Sequence, residues 1–250
     1  SFEFNRSDGA NKHGLTAWQL IKRKGGAATV RVENKEPLNS NNLNYLVMNI
    51  ENSGKGVGIM NSGYNLGFNV KAGEKYDFSF YARRTDSFDQ PFTITLESLT
   101  GKIFAEAEII VDSNQWKKYS TTLTATASST TARLVILTTG KGSVCLDMVS
   151  LFPQNTFNNR KNGLRADIAQ MIADLQPQFF RFPGGCIVHA GSYKENAPYR
   201  VYRWKDTIGD AAERPVSASM WAGNNQSFGL GFYELFLFAE DINAAPIPHV

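Results

Sequence analysis

The most constraining feature of this 250-residue sequence is a change of hydrophobic period near Pro153. Before Pro153, short runs of alternating apolar and polar residues are separated by Gly, Asn, Ser and Thr. These runs are YDFSFYARR, FTITLESL, EIIVD, KKYSTTLTA, TARLVILTT and SVCLDMVSLF. In the first run every second residue from Tyr76 to Phe80 is aromatic, which places these side chains on one face of a strand. The pattern predicts an all-β sandwich, with hairpin turns at the glycines of VKAGEKY and TTGKGS.

After Pro153 the apolar spacing becomes helical. NGLRADIAQMIADLQPQ predicts a helix that ends at Pro177, with an apolar face of Leu164, Ile168, Met171, Ile172 and Leu175. FFRF follows as a short buried strand. GLGFYELFLFAEDINA then predicts a second helix with a face of Leu230, Tyr233, Glu234, Leu237 and Phe238, before the strand PIPHV. This order is typical of a parallel α/β sheet or barrel. Two strands are too few to close an eight-stranded barrel. We therefore expect an incomplete (β/α)8 barrel portion and a chain that is part of a longer protein.

Charge and composition exclude several classes of protein. The formal net charge is +3, and the charged residues are scattered without a block of one sign, so neither a nucleic-acid nor a membrane partner is expected. No apolar stretch is long enough to cross a bilayer. The first residues, SFEFNRSDG, do not form a signal peptide, although a mature secreted protein would look the same. Cys145 and Cys186 lie in unlike contexts, which argues against a disulfide framework.

The segment FFRFPGGCIVHAG contains the candidate site. Arg181 alternates with Phe180 and Phe182, and an arginine buried at the mouth of a barrel needs an anion, usually a carboxylate. Gly184 and Gly185 lack a Cβ, so their backbone amides can approach a bound group closely. The alternative is a structural salt bridge beside a glycine turn.

Three longer blocks give this site a family context: RFPGGC, YRWKDTIGDAAERP and MWAGNNQSFGLGFYELFLFAEDINAAPIP. In order and spacing they resemble the catalytic barrel of α-L-arabinofuranosidases of glycoside hydrolase family 51, in its plant and gut-bacterial branch. The preceding segment resembles a jelly-roll carbohydrate-binding module of the family 4/9 type. The resemblance implies a linker from a missing first barrel strand over residues 1–9, the module over 10–153, and the start of a truncated TIM-barrel hydrolase domain over 154–250.

The resemblance also implies substrate-binding residues: Arg181, Gly184, Gly185, Cys186 and Trp221. Arg181 matches the arginine that supports the nucleophilic carboxylate. Cys186 takes a position where many relatives have a sugar-binding Asn, and a packing role is the alternative. Trp221 matches a tryptophan that lines the sugar subsite, with core packing as its alternative. The acid/base and nucleophilic glutamates are expected beyond Val250, so no catalytic residue is assigned here and the chain alone is expected to be inactive.

Two classes of function therefore stay open. In the first, the chain is part of a retaining, exo-acting enzyme that removes terminal arabinofuranose from arabinan or arabinoxylan. In the second, it is a non-catalytic carbohydrate-binding module that uses exposed Tyr64, Trp18 and Trp116, each of which could equally be core, with Trp116 favouring the core. A purely structural spacer domain is a third possibility.

Cofactors and partners follow from the same resemblance. No cofactor is expected for catalysis. A structural calcium ion held by Glu3, on the first strand-like run, and Asp147, on the last, is one expectation, and a solvated carboxylate pair without metal is the alternative. The expected partners are an arabinose-containing plant polysaccharide or oligosaccharide and the remainder of the barrel. The resemblance implies an extracellular or periplasmic location.

Overall fold

The computed structural model of the protein describes residues 1–4, 13–63, 67–85, 88–192, 199–218 and 225–250. The chain divides into two compact units. The first consists of Ser1–Glu3, Gly14–Leu38 and Leu43–Asn155; the second consists of Phe4–His13, Asn39–Asn42 and Thr156–Val250. Nothing in the sequence pattern indicated that the two short segments before residue 43 belong to the second unit.

The first unit is a sandwich of two antiparallel sheets, as predicted. The six-stranded sheet is built from β1 (Trp18–Lys22), β4 (Val57–Asn61), β10 (Ser129–Thr138), β7 (Phe92–Glu97) and β8 (Ile103–Ile109) in that order, with β5 (Phe68–Val70) paired to β10. The five-stranded sheet has the order β2 (Ala27–Glu33), β3 (Tyr45–Asn52), β11 (Gly142–Pro153), β6 (Lys75–Arg84) and β9 (Lys117–Thr124).

The core of the sandwich lies between the two sheets. Tyr76, Phe78 and Phe80 are buried along β6, which confirms the predicted alternation. The Phe80 ring meets Phe92, from a strand of the other sheet, edge to face at a centroid distance of 5.9 Å. Such pairs stabilise a core beyond the area that they bury.

Some local predictions for the sandwich are wrong. Strand β8 contains only the first two residues of EIIVD, Glu108 and Ile109. The glycine turns of VKAGEKY and TTGKGS are not hairpins, because β5 and β6, like β10 and β11, belong to different sheets. The glycines therefore lie at the connections between the two sheets. One of them, Gly73, has a φ of 82°, a backbone conformation that favours glycine.

The second unit carries the α/β portion. Its elements are α1 (Ala166–Asp174), β12 (Phe179–Phe182), α2 (Gly185–His189), β13 (Gly191–Ser192), β14 (Tyr199–Arg200), β15 (Val216–Ala218), β16 (Asn225–Ser227), α3 (Phe232–Asp241) and β17 (Ala245–Pro248). Strands β12 and β17 are parallel neighbours, and α3 precedes β17 along the chain. This is the arrangement expected for part of a (β/α)8 barrel.

The predicted helix faces of this unit are only partly correct. In α1 and the residues before it, Leu164, Ala169 and Ile172 pack into one apolar cluster, while Met171 and Leu175 are 70% and 78% exposed. Ile168 is also exposed. In α3 the buried face is Phe232, Phe238 and Ala239, whereas the predicted Leu230 and Tyr233 are exposed. Within the described residues, no helix combines the length and apolar character that crossing a membrane requires.

Candidate functional site

Arg181 lies near the carboxyl end of β12, opposite Ile247 of β17. Its Nε donates to Nε2 of His249 at 2.8 Å, and its Nη2 lies 3.2 Å from Nδ1 of the same ring. Arg181 is exposed, so the prediction of a buried arginine is wrong. Only β17 pairs with β12 among the described strands, so the further strands whose side chains would cover Arg181 inside a closed barrel are not among the described residues.

His249 is the residue that sequence analysis missed at this site. Its backbone amide donates to the carbonyl of Phe182 at 2.8 Å, which places the imidazole directly after β17. The signal for its role was available: it follows the apolar run PIP, and carboxyl ends of parallel strands meet at one edge of a sheet.

Both glycines after Pro183 have a local physical reason. Gly184 has a φ of 127°, a backbone conformation that side chains with a Cβ rarely adopt. A Cβ placed on Gly185 would lie 3.2 Å from Nη2 of Arg181, closer than most side-chain contacts. The Gly-Gly pair therefore turns the chain and leaves room for the guanidinium beside the backbone.

Two further residues were predicted to bind the sugar, Cys186 and Trp221. Cys186 is an exposed free thiol in the first turn of α2, whose Ile187 and Val188 are buried and anchor the helix. Trp221 lies outside the described residues. The structure thus brings together Arg181, Gly185 and His249, which directly follows the parallel strand β17.

Two carboxylates of the second unit form ion pairs with arginines. Arg160 donates to both carboxylate oxygens of Asp241 at 2.6 and 3.2 Å and holds the pKa of that carboxyl below its usual value. Glu234 is paired in the same way with Arg214. Although partial burial opposes ionisation, the Arg214 guanidinium and the Gly231 amide lower the pKa of Glu234. Both carboxylates therefore support structure, not acid–base chemistry.

Asp147 is the most unusual carboxyl group of the sandwich. Its side chain is fully buried; Oδ1 accepts from the Met148 amide at 2.7 Å, while Oδ2 has no hydrogen-bond partner among the described residues. Burial raises the pKa of Asp147 to about 7. Glu3 lies close enough to contribute electrostatic repulsion, but it is not in a strand, contrary to prediction, and its carboxylate accepts two hydrogen bonds from Asn44. Across the described residues no group of three or more His, Cys, Asp or Glu side chains could hold a metal ion.

The aromatic side chains proposed as a sugar platform occupy different environments. Trp18 packs against the sandwich core and contacts Phe2 at a centroid distance of 5.6 Å. Trp116 is half-buried and lies outside the core, so the preference for a core position is wrong. Its ring meets Tyr45 edge to face at 5.2 Å, because it lies over the outer face of the five-stranded sheet. Tyr64 lies outside the described residues.

Two family profiles match the chain. The profile described as "Carbohydrate binding domain" matches residues 2–142, and the one described as "Alpha-L-arabinofuranosidase 1 domain" matches residues 171–250. The first covers more than half of the chain.

Curated relatives and a solved structure agree with these profiles. The chain is 41% identical, over its whole length, to an "Extracellular exo-alpha-L-arabinofuranosidase" of Streptomyces chartreusis and covers 29% of that protein. It is also 41% identical, over 77% of its length, to "Alpha-L-arabinofuranosidase 1" of Arabidopsis thaliana and covers 27% of that protein. The structure titled "Arabinose-Bound MgGH51 a-L-Arabinofuranosidase" matches 94% of the chain and 38% of its own, with a TM-score of 0.83 and 31% identity.

The chain thus spans about a third of the length of the relatives that it matches. The matches run through both units, and they include the segment with Arg181 and the Gly-Gly turn. Taken with the sandwich, they show that the chain belongs to the carbohydrate binding domain family, and that it is similar through both units to α-L-arabinofuranosidases, among them one of glycoside hydrolase family 51.

Proposed function

We propose that the whole protein to which this chain belongs is a retaining, exo-acting α-L-arabinofuranosidase that removes terminal arabinofuranose from arabinan or arabinoxylan. The observation that carries the proposal is the juxtaposition of Arg181, Gly185 and His249 at the carboxyl ends of two parallel strands. Active sites of βα barrels are built at that end. The printed names of the relatives support the same substrate class.

The chemistry assigns separate roles to this chain and to the remainder of the barrel. A retaining glycosidase needs one carboxylic acid to protonate the leaving group and one carboxylate to attack the anomeric carbon. We assign both to segments that follow residue 250. Arg181 would hold the nucleophilic carboxylate ionised and oriented, while Gly184, Gly185, Cys186 and Trp221 would line the arabinose subsite.

The activity test compares the whole protein with the 250-residue chain. Release of p-nitrophenol from p-nitrophenyl α-L-arabinofuranoside is expected from the whole protein and not from the chain, because we assign both catalytic glutamates to segments that follow residue 250. Within the chain, Glu234 and Asp241 are engaged by arginines. The mass of the chain, 27.7 kDa, should be verified in the assayed sample. Turnover by that verified species would contradict the assignment of the catalytic glutamates.

A second function, carbohydrate binding by the sandwich itself, is favoured by the profile match over residues 2–142. Trp116 is the candidate platform residue that keeps exposed surface outside the core. Affinity electrophoresis in gels with arabinoxylan is expected to retard the chain and to retard Trp116→Ala less. Equal mobility with and without polysaccharide would favour a structural spacer.

We also propose that the sandwich holds a structural divalent cation. The buried Oδ2 of Asp147 has no described hydrogen-bond partner, and the Ser1 amino group lies near enough to interact with the carboxylate electrostatically. A hard cation such as Ca²⁺ would suit the same carboxylate, with Glu3 as a second ligand. The alternative is a neutral, protonated Asp147. Adding CaCl₂ to chelator-treated protein should raise the Tm of the wild type but not that of Asp147→Asn; an unchanged wild-type Tm would leave the protonated form.

The proposed location is outside the cell, in the medium or in a periplasm. The support is the printed name of the Streptomyces chartreusis relative, which calls that protein extracellular. Fractionation of the native host, with activity measured in medium, periplasm and cytoplasm, tests this location directly. Activity confined to the cytoplasmic fraction would contradict it.

A further inference from the structure

A trough on the outer face of the five-stranded sheet is not explained by the hydrolase reaction. One cross-strand row runs from Arg31 through Val47 and Cys145 to Arg83, in registered positions on β2, β3, β11 and β6. The two arginines are three strand spacings apart, about 14 Å at their Cα atoms. Since the two middle residues have short side chains, they form a floor between the long ones. The cavity above this row has a volume of about 440 Å³.

The trough carries an excess of positive charge. Its described lining includes four cations, Arg31, Lys35, Arg83 and Arg84, against the single carboxylate of Glu33. Burial raises the pKa of Cys145, so the thiol contributes no negative charge at neutral pH. A cavity lined mainly by one sign of charge attracts ligands of the opposite sign.

Arg83 is fixed in place on one side of the trough. Its guanidinium lies 5.5 Å from the Tyr45 ring centroid and 5.2 Å from that of Trp116, and Nη1 contacts Glu36 at 3.0 Å. Its Nε is buried and has no hydrogen-bond partner among the described residues. Nη2 donates to the Tyr45 hydroxyl at 3.2 Å, so the guanidinium keeps a fixed position and a fixed positive charge at the trough.

The opposite side of the trough is polar and adaptable. Arg31 is exposed and contacts Glu33 at 2.8 Å, while Lys35 is exposed two residues after the end of the same strand. Arginine presents paired donors that match the two oxygens of a carboxylate, and lysine adds a mobile charge. Beside the trough, the half-buried ring of Trp116, which packs on the buried ring of Tyr45, offers an apolar edge to a pyranose ring.

We propose that this trough binds a uronic acid residue of an acidic plant polysaccharide, with the sugar carboxylate held between Arg31, Lys35 and Arg83. The site would attach the protein to acidic regions of the cell wall, whereas the reaction itself acts on neutral arabinofuranose. The proposal does not depend on hydrolase activity, because all of its residues belong to the first unit.

Affinity electrophoresis of the full chain tests the proposal. Gels contain either de-esterified polygalacturonate or the same polymer after chemical reduction of its carboxyl groups. We expect retardation by the acidic polymer, weaker retardation at higher salt, and none by the reduced polymer. The double variant Arg31→Ala/Lys35→Ala should weaken apparent binding about tenfold or more, since charge-assisted contacts are lost.

The control is the double variant Lys55→Ala/Lys102→Ala. It removes the same charge from two exposed lysines that do not line the trough, and it should bind polygalacturonate like the wild type. Equal weakening by both double variants would show unspecific charge attraction and overturn the proposal. Equal retardation by the carboxyl-reduced polymer or by dextran sulfate would overturn the assignment of a carboxylate ligand. The absence of retardation by polygalacturonate would overturn the whole proposal. Circular dichroism confirms that both variants are folded before they are compared.

Discussion

Arg214 forms a two-point ion pair with Glu234, in which Nη1 and Nη2 lie 2.9 and 2.8 Å from the two carboxylate oxygens. Glu234 also accepts from the backbone amide of Gly231 at 2.8 Å, at the start of α3. Arg214 is buried and donates to the carbonyls of Gly209 and Phe228 as well. One arginine therefore joins two loop segments to the first turn of a helix, where a carboxylate is stabilised by the helix dipole.

Replacing Arg214 by Ala is expected to destabilise the second unit. The change removes the partner of Glu234 and a donor to three carbonyls, those of Gly209, Phe228 and Gly229. The cost is about 2 to 4 kcal/mol, since Glu234 keeps some contact with solvent. Hydrogen exchange of the peptide that contains α3 should become faster. Arg165→Ala, which breaks an exposed pair with Asp167, is the control and should leave exchange in α3 unchanged. Unchanged protection of α3 in Arg214→Ala would disprove this role.

The same ion pair predicts a pH dependence of stability. Because the pKa of Glu234 is lowered in the folded state, the stabilisation by its carboxylate is complete above its ordinary pKa of 4.5 and disappears as the pH falls through the folded value. The difference in Tm between wild type and Glu234→Gln should therefore be largest at pH 6 to 7 and shrink towards pH 3. Glu240→Gln, an exposed change on the same helix, should show a small difference at every pH. A constant difference for Glu234→Gln would argue against the pair.

Asn42 supplies a third test of the second unit. It is fully buried, and its Nδ2 donates to the carbonyls of Ala212 and Arg214 at 3.1 and 2.9 Å. Asn42→Ala should cost about 1 to 3 kcal/mol in the free energy of unfolding, because the buried bond to the Arg214 carbonyl is lost, whereas the Ala212 carbonyl keeps Asn39 as a donor. Exposed Asn41, which donates to the carbonyl of Glu213, is the matched control and should cost less as Asn41→Ala. Urea denaturation measures both, and equal costs would contradict the importance of burial.

The sandwich was predictable because alternation along a strand encodes burial directly. Each of Tyr76, Phe78 and Phe80 is buried, and no tertiary information was needed to place them. Helix α3 was harder, because the run FYELFLFAED is apolar on most of its circumference. Its buried face is chosen by packing against β12, where Phe182 meets Phe232 at 5.4 Å, and not by its own period.

The candidate site was predictable only in part for a related reason. Arg181 and the glycines stand together in the sequence, so a local pattern reveals them. His249 is 68 residues away from Arg181, and only the parallel pairing of β12 with β17 brings them together. Trp116 shows the same limit: its position before a strand suggested burial, but its neighbours Tyr45 and Arg83 come from other strands of the sheet.

The last prediction concerns Arg181 in the whole protein and rests on the proposed hydrolase function. If its guanidinium orients the nucleophilic carboxylate, Arg181→Lys keeps the charge but loses the planar pair of donors, and kcat should fall about 100-fold, as misplacement of a reacting group by roughly 1 Å can produce. The Tm should change little, because Arg181 is exposed and its described partner is the His249 imidazole. Arg165→Lys, at an exposed position of the same unit, should keep normal turnover. Near-normal kcat in Arg181→Lys, measured on p-nitrophenyl α-L-arabinofuranoside and corrected for the folded fraction, would remove Arg181 from the active site.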